Sequence, residues 1–170
     1  MSDTVETQDD NPDDTPEPGR TFLCIVDDSE ELGKALRFAC RRANHTGGRI
    51  ALAYFMAPAE FQHWMAIGDK MREEAREEAE EMIQVVASVV QKRTGKMPVC
   101  FIREGKVHEE VVKLIDEETH ISLLVLGAAS GSDGPGPLVS YLVEKMAGEL
   151  RVPVTIVPGN LSDEQIDAIS

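Results

Sequence analysis

From Thr21 onward the chain alternates between two hydrophobic periods, and that alternation limits the folds open to it. Short β-branched and aromatic runs read as buried strands: TFLCIV (21–26), RIALAYFM (49–56), GKMPVCFIRE (95–104), ISLLVLG (121–127) and VPVTIVPG (152–159). Segments with apolar residues at helical spacing lie between them. Leu32, Leu36, Ala39, Cys40 and Ala43 share one face of the first, and Val107, Val111, Leu114 and Ile115 one face of the third. The second helix is expected over 70–93, charged in its first half and apolar in its second, and the fourth over 138–151. Ser29 is the expected N-cap of the first helix, and the HTGG run its stop.

Strands separated by helices imply a single, mostly parallel five-stranded sheet with helices on both faces. Right-handed crossovers leave few arrangements of five strands. In such sheets ligands sit beyond the carboxyl ends of the strands, where strand order reverses. Two features fall at carboxyl ends: the pair Asp27–Asp28 after the first strand, and the loop AASGSDGPGP (128–137) after the fourth. If strands one and four are neighbours, the two face one crevice.

Charge narrows the partners. The net charge is -14, and both the first twenty residues and the remainder are acidic, so a nucleic-acid backbone would be repelled. Residues 1–20 are rich in acid and proline and poor in apolar residues, which predicts a disordered leader ahead of a domain at 21–159. For 160–170 a C-terminal tail is expected, the capping-box spacing of Ser162 and Gln165 pointing to a short helix. No apolar run reaches the roughly 20 residues of a membrane span, and the N-terminus has no secretory signal, so the expected location is cytoplasmic. Cys24, Cys40 and Cys100 are well separated and are read as small buried hydrophobes.

The acid pair admits two chemistries. Paired acids at a strand end bind magnesium in receiver-type phosphoryl sites, but such a site also needs an aspartate ending strand three and a lysine ending strand five. Here those strands end FIRE and TIVPG, so that reading fails. Alternatively, one aspartate accepts hydrogen bonds from a ribose while Gly127, Gly131, Gly134 and Gly136 let backbone N–H groups approach phosphates. Asp28 then serves as a turn or helix-cap acid. His108 begins HEEVV rather than HExxH, because Val112 stands at the second histidine position, so no metal ligand set is expected. His45 suits a helix end. His63 and Trp64 lie in the 57–69 connection, where packing on the sheet edge or a partner surface would account for them.

Several segments together resemble the universal stress protein family: FLCIVDDSEELGKALRFACRRA, IREGKVHEEVVKLIDEETHISLLVLG and LVSYLVEKMAGELRVPVTIVPG. The resemblance implies a flavodoxin-like sheet in the order 3-2-1-4-5. It also implies a homodimer paired along the fifth-strand edge, Pro153 to Pro158, and a bound adenine nucleotide, ATP with Mg2+ as the counter-ion that a loop without lysine or arginine would need. Asp27 takes the place of the ribose- or adenine-contacting aspartate, preceded by Ile25 and Val26. Phe55 falls where the second strand's backbone meets adenine, and Gly127 matches the first glycine of the phosphate motif. The motif's second glycine is met by Ser130, with Gly131 one later, and its final Gly-Ser by Val139-Ser140. Ser140 would still offer a hydroxyl and an N–H to phosphate. A nucleotide-free interaction module of the same family stands beside this reading. No residue set points to a catalytic base or nucleophile.

Overall fold

The computed structural model describes residues 19–58, 65–146 and 148–170. Residues 1–18 of the expected leader and 59–64 of the 57–69 connection, with His63 and Trp64, lie outside the described residues. The elements run β1 (Thr21–Ile25), α1 (Leu32–Thr46), β2 (Arg49–Met56), α2 (Met65–Thr94), β3 (Val99–Glu104), α3 (Val107–Glu117), β4 (Ile121–Ala128), α4 (Pro137–Tyr141), β5 (Val154–Pro158) and α5 (Asp163–Ile169). All described strand pairs are parallel, in the order β3-β2-β1-β4-β5.

Alternation along β1 divides the core. Phe22, Cys24 and Val26 point into one cluster, with α1, the apolar second half of α2 and Ile166 of α5. Leu23 and Ile25 point into the other, with Val111, Leu114 and Ile115 of α3 and Val139 of α4. Every residue of β1 is buried, as a central parallel strand requires. The stop of α1 behaves as its glycines imply: Gly47 takes φ 67° and donates its N–H to the Ala43 carbonyl. Ser162 and Gln165 close a reciprocal capping box at the start of α5.

Three local expectations are corrected. Ser29 does not cap α1. The helix begins at Leu32 behind Glu31 without a side-chain cap, three residues past Ser29, whose hydroxyl and N–H both donate to Asp27. Cys24 and Cys40 are buried, and burial pushes both thiols up, Cys40 to about 11. Cys100, in contrast, is exposed, because β3 is an edge strand whose outer flank is left open beside Gln84 and Val85 of α2. The fourth helix does not run to residue 151. It gives way after Tyr141 to a π-helical turn, Leu142–Met146. Leu142 enters the core, while Val143 stays 54% exposed. Arg151 is drawn away instead, its Nη2 donating to the carbonyls of Glu118 (3.1 Å) and Ile121 (3.2 Å).

No described helix is long and apolar enough to cross a membrane.

Candidate functional site

Strand lengths build the crevice. β1 stops at Ile25, level with Ala53 of β2, while β2 continues to Met56 and β4 to Ala128 on its two sides. The last β1-like contact is the Val26 N–H donating to the Ala53 carbonyl at 2.7 Å. By strand alternation, the N–H and C=O of Phe55 face the same side as those of Ala53, above the end of β1. The result is a cleft of about 1010 Å³ at the point where strand order reverses.

Ile25, Val26, Asp27, Phe55 and Gly127 all line this cleft. Gly131 and Ser140 do not. Gly131 is exposed on the outer part of the loop, and the Ser140 N–H returns to the Gly136 carbonyl at 3.0 Å. The floor is apolar, with Val125, Leu126, Leu138 and Val139. Val139 is only 6% exposed and packs into the core below, so its isopropyl group forms part of the floor and the cleft stays open above it.

Asp27 closes a short turn. Its Oδ1 accepts the Ser29 N–H (3.0 Å) and hydroxyl (2.6 Å). This fixes the carboxylate and leaves Oδ2 without a hydrogen-bond partner among the described residues. The turn-forming part expected of Asp28 thus falls to Asp27, and Asp28 simply lines the cleft.

Gly127 has a packing reason of its own. A Cβ there would stand 2.5 Å from the Glu31 Cβ and 2.6 Å from the Glu31 carbonyl oxygen. Glycine at 127 lets the chain entering α1 press against β4, which shapes one wall of the cleft.

The opposite wall was not anticipated from sequence. Lys106 and His108, at the start of α3, and Tyr141 of α4 also line the cleft. The His108 and Tyr141 rings meet at 4.3 Å between centroids, tilted by 40°. His108 carries a simpler sequence signal than a zinc motif: it follows the turn after β3, and so lies at the carboxyl edge of the sheet. Among the described residues, no group of three or more His, Cys, Asp or Glu side chains is placed to hold a metal.

A family model described as the universal stress protein family matches residues 19–158. The chain belongs to that family. Solved structures agree with the fold. A universal stress protein from Lactobacillus plantarum is 17% identical with a TM-score of 0.66, covering 81% of this chain and 97% of that one. A universal stress protein in complex with cAMP is 20% identical with a TM-score of 0.57, covering 81% and 96%. The universal stress protein from Archaeoglobus fulgidus in complex with dAMP is 16% identical with a TM-score of 0.52, covering 81% and 97%. Among curated proteins none matches significantly. For this universal stress protein, the expected sheet order and the observed one coincide.

Proposed function

We propose that this universal stress protein binds an adenine nucleotide in the cleft above β1, and that it acts in the cytoplasm through a change in conformation or partner choice rather than through turnover. The observation that carries the reading is the Asp27 carboxylate, fixed by Ser29 with one oxygen open, beside an apolar floor and the outward-facing backbone of Phe55. A planar base fits the floor and an adenine edge the strand backbone. A ribose would present hydroxyl donors to Oδ2. The relatives solved with cAMP and dAMP support the same ligand class. ATP, AMP and the cyclic forms share the nucleoside that these residues would grip.

Asp27→Ala tests the site. It removes a hydrogen-bonded carboxylate, so calorimetry should show AMP affinity falling at least about tenfold while the melting temperature moves little. Parental affinity in the variant would remove Asp27 from the site. The nucleotide-free module keeps one supporting observation: packing against Glu31 explains Gly127 without any phosphate. Absence of binding by every adenine compound would favour it.

We also propose a homodimer along the β5 edge. Among the described strands β5 pairs only with β4, and its Ile156 is 38% exposed, leaving apolar surface at that margin. Sedimentation should give twice the chain mass, and Ile156→Glu should shift it to monomer. A parental protein that sediments as a monomer at micromolar concentration would refute the pairing.

A further inference from the structure

The nucleoside end and the phosphate end of the cleft differ in what they supply. Four carboxylates line it, from Asp27, Asp28, Glu31 and Glu78. Among the described residues the basic groups of the lining are Lys106 and His108, and Lys106 Nζ already stands 3.6 Å from a Glu109 carboxylate oxygen.

The loop after β4 adds few donors. The Ala129 N–H is spent within the loop on the Pro135 carbonyl, at 3.3 Å. Pro135 and Pro137 have no N–H to give. Gly131, Ser132 and Asp133 are exposed and lie outside the lining. Asp133 brings another carboxylate, which accepts the Ser132 hydroxyl at 3.4 Å. α4 is five residues long, so its dipole is slight. Nor does a cluster of three or more acidic, histidine or cysteine side chains converge among the described residues to hold a cation that would neutralise a phosphate chain.

We infer that the cleft selects adenosine and its monophosphates over the di- and triphosphate. This selectivity rests on the adenine reading of the cleft. Base and ribose meet the same apolar floor and the same Asp27 oxygen whatever the number of phosphates. One phosphate group can be met by the Lys106 ammonium and a His108 ring N–H. Each further phosphate brings negative charge towards the lining carboxylates and finds no further cation among the described lining residues. The glycine loop reaches the cleft through Ala129, Pro135 and Gly136 and brings no basic side chain to it.

The test is calorimetric titration of the full chain with adenosine, AMP and ATP, in EDTA and again with Mg2+. AMP should bind at least about tenfold more tightly than ATP in both buffers, and higher salt should narrow the gap by screening the repulsion. ATP binding as tightly as AMP, or more tightly, in either buffer would overturn the selectivity while adenosine binding left the adenine reading standing. Silence from all three compounds would overturn that reading and the selectivity with it.

Discussion

Gly127→Ala should destabilise the domain by about 3 kcal/mol, the upper end of the usual range for overpacking. The new methyl group meets the Glu31 carbonyl oxygen at 2.6 Å, and backbone cannot rotate aside as a flexible side chain can. Relief requires the start of α1 to lift away from β4, which also moves the Asp27–Ser29 turn. Melting should fall by roughly 6–12 °C, as expected for a chain of this size. Gly131→Ala is the matched control. No atom lies within 4 Å of its Cβ position and its φ is not positive, so stability should stay within about 0.5 kcal/mol of the parent. Thermal denaturation of the two variants decides the point. If Gly127 existed only to admit phosphate, Gly127→Ala would melt like the parent and lose binding alone.

The second large effect lies in α5. Ile166→Ala should cost about 2–5 kcal/mol in urea denaturation, since Ile166 is fully buried in the same cluster as α1 and α2. A dispensable tail would show almost no cost, and that result would refute a structural role for residues 160–170. The helix is also tied by charge: Lys34 meets Asp163 at 3.1 Å, and Arg37 holds Asp167 through two 2.7 Å bonds. The Lys34 ammonium holds the Asp163 carboxyl below the usual range, and the Arg37 guanidinium does the same for Asp167. A carboxyl depressed in the folded state contributes stability above its unfolded value, about 3.9. That contribution is lost as pH falls through the lower folded values. The hydrogen-exchange protection factors of the α5 amides, taken against the intrinsic rate at each pH, should therefore fall below about pH 4 in the parent, whereas the Ile166→Ala deficit should persist at neutral pH. These pairs are exposed enough that the apolar anchor dominates.

Much of this fold was legible because its signals are local. Strand and helix periods, the Gly47 stop, and the Ser162–Gln165 box each depend on residues within a few positions of one another. Asp27 could be placed at a carboxyl end by the same reasoning. What failed depended on distant neighbours. Cys100 reads as a buried strand residue until the strand holding it is seen to be an edge. The helix expected through Arg151 gives way after Tyr141, and Arg151 instead reaches carbonyls some thirty residues earlier in the chain. Ser29 looks like a cap, but the helix starts three residues later, at Leu32.

Residue order alone was thus enough for the parallel sheet, its two helical layers and the strand end that carries Asp27, since repeating apolar periods and short-range capping are written along the chain. Three things emerged only once the chain was packed: which side chains share the cleft, that Glu31 occupies the space at Gly127, and that Gly131 at the tip of the glycine loop lies outside the cleft. Those outcomes depend on contacts between segments about a hundred residues apart, and no local pattern encodes the distance between them.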